Sequence, residues 1–286
     1  MTRLVTEWLD TEMEGMKRYG RFVESVAGET PLALAAKAAA RLARDQAQGA
    51  ARTTEPRTFE PPDFKLPVAT DIRASVVRIT SGLGVIGGFA ESLYSLLAWL
   101  GVEVSMPQQT DVNGIYSAAS DGADLIFIAD DDRFICMNMR NGTIAENNEG
   151  TAYGYAEALD LMAGGIAGEK VLLLGFGPVG QGALKALVGL GASVSVYDKN
   201  PERQSAAAAE ACDVCRREDI SKYRLIFDAT NEGGWLGADE LHPDVLISAP
   251  GLPISLSEDA KKKYEGRVFS DVLQTGALVM LCRALI

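Results

Sequence analysis

Residues 170–198, KVLLLGFGPVGQGALKALVGLGASVSVYD, leave this chain few folds to choose from. Lys170 to Leu174 is a short, nearly all-apolar run, the pattern of a strand buried on both faces of a parallel sheet. Gly175, Gly177 and Gly180 follow in a G-x-G-x-x-G frame, with Pro178 and Val179 between the last two. Gln181 to Leu190 carries apolar residues at helical spacing, Ser193 to Tyr197 reads as a second strand, and Asp198 closes it. That acid stands roughly twenty residues beyond the glycines, the offset a dinucleotide site requires. Each glycine has a separate physical task. Gly175 permits a tight turn off the strand, Gly177 lets backbone approach a pyrophosphate, and Gly180 lets the helix pack close to the strand. The helix start then offers free N–H groups and a positive dipole end to the phosphates. Asp198 is placed to hold both ribose hydroxyls and to repel a 2′-phosphate, which favours NAD. Lys199 beside it is the feature that would favour NADP instead.

The remaining composition narrows the class. A chain of 286 residues, 47% hydrophobic, suits one large or two medium globular units. The net charge of −12 argues against nucleic acid or an anionic membrane as the main partner, since both need a basic face. No apolar run reaches the length of a membrane span, and MTRLVTEWLDTEMEG has no signal-peptide core, so a cytoplasmic location is expected. Of the four cysteines, only Cys212 and Cys215 are spaced as C-x-x-C, and no second pair or histidine cluster completes a zinc site. Two reduced cysteines in a loop or strand are expected. The single histidine, His242, precedes Pro243 in a loop-like segment. No Ser-His-Asp triad or multi-histidine relay can then be drawn, and acid–base work falls to carboxylates, lysine, tyrosine or water.

Read in order, the chain opens with an amphipathic helix over 1–28 and an alanine-rich helix over 30–48. A proline-rich arm (ARTTEPRTFEPPDFKLP) follows. Strands are expected at 76–80, 102–106 and 123–129, with a short helix over 111–119. The glycine-rich turn after Thr80 leaves backbone N–H groups for a substrate carboxylate or polar head group. The third strand runs into Asp130, Asp131 and Asp132, at the strand end where ligands bind in open α/β sheets. These acids could take a cationic substrate or a metal, or form a solvated turn. A hairpin over 134–145, a polar loop at Asn147 and Asn148, and a helix over 151–162 lead into the glycine motif. Beyond Asp198, the ends of two further strands bring Ala229 and Thr230, then Pro250 and Gly251, to the cofactor. The expected fold is α/β and two-lobed: an N-terminal α/β substrate lobe with leading helices (1–165), a Rossmann dinucleotide-binding domain (166–272), and a C-terminal helix (273–286) packing back on the first lobe.

Several stretches together resemble the pyrrolysine synthase family: ITSGLGVIGGFAESL (79–93), DVNGIYSAASDGADLIFIADDDRF (111–134), NGTIAENNEGTAYGYAE (141–157), VLLLGFGPVG (171–180), LIFDAT (225–230) and SAPGLP (248–253). The resemblance implies an NAD-dependent amine dehydrogenase acting on L-lysine acylated at Nε by 3-methyl-D-ornithine. Oxidation of the ornithine side-chain amine, loss of ammonia and ring closure would give pyrrolysine. Carried over residue by residue, it implies that Ser81, Leu83, Phe89, Asp130 and Asn147 line the substrate cavity, with Leu4 on a helix that closes over it. Asp271 stands where the family has glutamate, and Leu83 where it has asparagine. The segment 29–78 is longer than in the family. On this reading Asp130, Asn147 and Asp271 position the amine and the water that follows. Two other readings compete: a two-lobed dehydrogenase of the shikimate or methylene-tetrahydrofolate type, and a non-catalytic NAD-sensing module. The expected partner is a small dipeptide-like molecule, and a homodimer is the base-rate assembly.

Overall fold

The computed structural model describes residues 33–39, 41, 71–80, 88–210, 212–270 and 273–286. The expected helix over 1–28, the proline-rich arm, and the site residues Leu4, Ser81, Leu83 and Asp271 lie outside the described residues.

The first sheet is built from β1 (Arg73–Arg78), β2 (Glu103–Ser105), β3 (Leu125–Ala129), β4 (Phe134–Asn138) and β5 (Ile144–Glu146) in the order β2-β1-β3-β4-β5. The first three strands are parallel, and β4 and β5 form an antiparallel extension. Side-chain alternation sorts its two faces. Ala74 and Val76 of β1 and Leu125 and Phe127 of β3 join the core beneath α1 (Phe89–Trp99), while Val77 and Ile126 meet α2 (Asp111–Ser120) on the other face.

The second sheet holds β6 (Lys170–Leu174), β7 (Ser193–Tyr197), β8 (Asp213–Val214), β9 (Leu225–Asp228), β10 (Leu246–Ser248) and β11 (Val268–Phe269), all parallel. Their order is β11-β10-β9-β6-β7-β8, the Rossmann arrangement with its change of direction between β6 and β9. Val171 and Leu173 face one core and Leu172 and Leu174 the other, which explains why β6 shows no polar alternation. The fold class expected from the sequence is the one observed.

The helices that follow in the chain are α3 (Asn147–Ala163), α4 (Pro178–Gly189), α5 (Pro201–Ala209), α6 (Glu258–Lys263) and the last, α7 (Gln274–Leu285); α3 runs between the sheets, packed against α4 and α7. The crossing with α7 depends on small residues. A Cβ on Gly154 would stand 2.5 Å from Thr275 Cγ2, and one on Gly276 would stand 2.5 Å from both Asn147 Oδ1 and Thr151 Oγ1. The other side of α7 buries Ala277, Met280 and Leu281 in the first sheet's core, and Asn138 Nδ2 donates to the Ala284 carbonyl at 2.8 Å. The alanine-rich stretch is helical over 33–39, with Leu34, Ala35, Ala38 and Ala39 buried. Next to it Arg41 Nε donates to the buried Glu157 carboxylate at 2.5 Å.

One expectation shifts. Helix α3 begins four residues before the expected Thr151, so Asn147 and Asn148 form its first turn rather than a polar loop. The physical reason is tertiary: the turn is held against α7 and α4, an influence that local polarity does not reveal. Of the loop or strand expected around Cys212 and Cys215, the structure shows the short edge strand β8, and the 3-10 turn at Arg217–Lys222 after it is an element the sequence does not announce. Cys212 and Cys215 flank β8 as free thiols.

Candidate active site

The glycine turn sits at the point where the second sheet's strand order reverses. Gly175 adopts φ +85°, open to glycine at little cost, and its Cβ position lies 3.0 Å from the Ala229 carbonyl at the end of β9. The next strand end is packed more tightly still, since a Cβ on Gly251 would stand 1.6 Å from the Thr230 carbonyl. The ends of β6, β9 and β10 therefore lie side by side in backbone contact. A Cβ on Gly180 would stand 2.2 Å from the Gly175 carbonyl, so only glycine lets α4 come down onto the turn. Gly177 behaves differently. Its φ of −76° suits any residue, and a Cβ there would meet nothing nearer than Arg203 Nη1 at 3.7 Å. Space is thus left in front of Gly177, beside a helix whose first internal bond, Gln181 N–H to the Gly177 carbonyl at 2.9 Å, begins beyond Val179 and Gly180. This cradle fits a pyrophosphate.

Beside it opens a cavity of about 250 Å³, lined among others by Gly175, Asp198, Arg203, Thr230 and Trp235. Asp198 braces the turn itself. One carboxylate oxygen accepts the Phe176 N–H at 2.7 Å and the other accepts the Asn200 N–H at 2.8 Å, while the Arg203 guanidinium stands 3.8 Å away. Each oxygen keeps a further lone pair for a ribose hydroxyl. Lys199 is held by Glu232 across the cavity, and Arg217 lies over the Trp235 ring at 4.9 Å. Beneath the floor, the fully buried Asp228 accepts from Thr230 Oγ1 at 2.6 Å and from the Ser255 N–H at 3.0 Å, tying the β9 and β10 exits together. Burial pushes its pKa up. Arg203, Trp235 and Asp228 did not emerge from the sequence. Arg203, on the first turn of the helix after Asp198, was within reach of a motif argument, whereas Trp235 had no local signal.

In the first sheet, Asp130 leaves the end of β3 and makes the hairpin to β4. Its Oδ1 accepts the Arg133 N–H at 2.8 Å and the Asp132 N–H at 2.9 Å, and its own N–H donates to the Arg133 carbonyl at 2.9 Å. The Arg133 and Asp132 amides hold its carboxyl below the usual carboxylate range. The exposed group is therefore ionised at neutral pH, a state that can attract positive charge but has no proton to donate. Phe89, at the start of α1, packs edge-to-face on Phe134 with centroids 5.1 Å apart, and both line a small apolar pocket with Ala129. Asn147 reaches the same edge through register. Ala129 pairs with Phe134, Ile135 pairs with Glu146, and Asn147 is the next residue. Thr151 Oγ1 donates to its Oδ1 at 3.3 Å. Gly182 of α4 packs on Ala152, its Cβ position 3.8 Å from the Asn148 carbonyl, so the first turn of α3 also borders the dinucleotide helix. Among the described residues no group of three or more His, Cys, Asp or Glu side chains could hold a metal ion, and no helix is long and apolar enough to cross a membrane.

A Rossmann sheet with an open glycine cradle, joined through one helix to a second α/β sheet, defines a two-lobed nicotinamide-dependent dehydrogenase. Comparison with known proteins agrees and goes further. Residues 33–145 match the family model "Pyrrolysine biosynthesis protein PylD, N-terminal domain", and residues 154–229 match "Alanine dehydrogenase/PNT, C-terminal domain". The pyrrolysine synthase of Methanosarcina barkeri is 30% identical over 73% of this chain and 80% of its own length, and that of Methanosarcina acetivorans is 30% identical over 73% and 81%. The chain belongs to the pyrrolysine synthase family. The shikimate dehydrogenases of Aquifex aeolicus (TM-score 0.53, 12% identity, 75% of this chain and 91% of that one) and Thermus thermophilus (TM-score 0.51, 17% identity, 75% and 92%) share the two-lobed fold.

Proposed function

We propose that the protein oxidises the ornithine side-chain amine of L-lysine-Nε-(3-methyl-D-ornithine) with NAD. The carbon bearing that amine loses a hydride and becomes an imine, water replaces the nitrogen to give an aldehyde and ammonia, and the ornithine α-amine condenses on the aldehyde with loss of water. Bound NAD would supply the hydride acceptor. Everything else is orientation by this chain's residues. Asp130, anionic and exposed at the end of β3, is suited to hold the amine end and the positive charge of the protonated imine. Asn147 offers an amide to the same edge, and the resemblance adds Asp271, Ser81, Leu83 and Leu4 to this set. Phe89 with Phe134 supplies an apolar wall for the carbon chain. Closure of the five-membered ring is intramolecular and asks little of the protein. The reading rests chiefly on one observation: the match to pyrrolysine synthases extends over four-fifths of their length. A cytoplasmic, soluble enzyme fits it.

Asp130→Asn tests the assignment. Removing the charge while keeping the turn's acceptor lowers kcat/KM for the amine by about a hundredfold, the scale of a lost charge-assisted contact. Unchanged turnover would remove Asp130 from the site.

A further inference from the structure

Asp111 is the one non-glycine residue with positive φ among the described residues, at +55°. Such a conformation persists where surrounding bonds over-determine it, and here they are explicit. One carboxylate oxygen accepts the Thr80 N–H at 2.7 Å; the other accepts the Thr80 hydroxyl at 2.6 Å and the Thr110 hydroxyl at 2.9 Å. Thr80 lies just past the end of β1. Two further contacts tie the same strand end to the segment before α2. Arg78 Nη2 donates to the Pro107 carbonyl at 3.1 Å and to the Gln108 carbonyl at 3.2 Å. Gly114 lets α2 lie so close that a Cβ would stand 2.6 Å from Val77 Cγ1. Register places this strand end beside the substrate edge, because Arg78 pairs with Ala129, the residue before Asp130.

We infer that Asp111 is a positioning residue for the amine-oxidation site: its carboxylate fixes where β1 leaves the sheet, and thereby the spacing between that exit and Asp130. This rests on the reading of Asp130 as substrate-facing. The Thr80 hydroxyl and amide, bound to the carboxylate, hold the Asp111 pKa below its ordinary value, so the tether is charged at neutral pH. Asp satisfies both demands of the position, since it tolerates a left-handed backbone and its two oxygens serve three donors. Glycine would meet only the first demand, and asparagine would turn an N–H₂ group toward hydroxyls that now donate.

The test compares Asp111→Gly, Asp111→Asn, Thr80→Val and Thr80→Ser by steady-state kinetics, NAD titration and thermal melting. Asp111→Gly keeps the backbone relaxed and removes only the bonds. It raises KM for the amine about tenfold or more, while Kd for NAD moves by less than about twofold. Thr80→Val shifts the same parameter by a smaller factor, Thr80→Ser restores it, and the double variant Asp111→Gly with Thr80→Val is no worse than Asp111→Gly alone, because the two groups share one interaction. An unchanged amine KM in Asp111→Gly overturns the inference. So does a parallel loss of NAD affinity and melting temperature, or effects that multiply independently. If the wild-type protein binds NAD but does not oxidise this amine, the substrate proposal fails. The Asp111 inference is then decided by hydrogen exchange at the Thr80 amide: much faster in Asp111→Gly than in wild type if it is right, and unchanged if it is wrong.

Discussion

Gly177→Ala separates a glycine kept for a ligand from a glycine kept for the fold. The backbone at Gly177 is extended, at φ −76° and ψ −168°, so alanine is sterically allowed there, and the new methyl would meet only the far end of Arg203 at 3.7 Å. On the protein side the change removes unfolded-state freedom, a gain of about 0.4–1 kcal/mol, and replaces a tolerated N-cap by a poorer one, a loss of similar size. Stability should therefore stay within about 1 kcal/mol, a shift of no more than about 4 °C in Tm. The same methyl fills the space in front of the turn, which on the proposed reading takes the pyrophosphate. Pushing the phosphates off the Val179 and Gly180 amides removes charge-assisted bonds of about 1.5–3 kcal/mol, so Kd for NAD should rise about tenfold to a hundredfold. Gly180→Ala is the control. Its methyl would stand 2.2 Å from the Gly175 carbonyl, which is backbone and cannot step aside. That overpacking costs about 1–3 kcal/mol and lowers Tm by about 2–10 °C along with NAD affinity. Calorimetric titration with NAD and melting of the ligand-free proteins read both quantities. Wild-type NAD affinity in Gly177→Ala, or a melting loss equal to that of Gly180→Ala, would show that Gly177 is not kept for a bound phosphate.

Other outcomes follow from the same geometry. Arg41→Ala strips the buried Glu157 carboxylate of its cation and should destabilise by about 3 kcal/mol, whereas the paired change Arg41→Met with Glu157→Leu should fall within about 1 kcal/mol of wild type; chemical denaturation distinguishes them. Because its turn amides hold the Asp130 pKa below that of an ordinary aspartate, the carboxylate keeps its charge to lower pH than a free one would. The acid limb of kcat/KM in a pH–rate profile should then follow protonation of the substrate amine, and Asp130→Asn should leave its midpoint in place. Burial pushes the Cys136 thiol up, and that of Cys282 up to about 12, so mass spectrometry after brief iodoacetamide treatment of the native protein should find neither alkylated until denaturant is added.

How far these features could be read from the chain depends on whether their cause is local. The βαβ unit was legible because buried parallel strands carry apolar residues on both faces and the glycines occupy positions where the backbone itself demands them, as at Gly175 and Gly180. The start of α3 was not, because Asn147 and Asn148 look like a loop until Gly276 and Gly182 bring α7 and α4 against them. The cavity beside the glycine turn was half legible. Asp198 follows from its offset, but its service to the Phe176 and Asn200 amides needs the fold, and Trp235 comes from a segment without periodicity. Asp111 was hidden in a different way. In sequence it is an ordinary acidic residue at a helix start, and only the positive φ and the three donors from Thr80 and Thr110 mark it out.

Whether the protein is an amine dehydrogenase is read most directly from the mass of the product formed from L-lysine-Nε-(3-methyl-D-ornithine) carrying ¹⁵N on the ornithine side-chain amine, incubated with the protein and NAD. NADH should form in step with a product lighter by labelled ammonia and two hydrogens, with all of the label in free ammonium. NAD binding with an unaltered substrate mass, or a product that keeps the label, would contradict that reading.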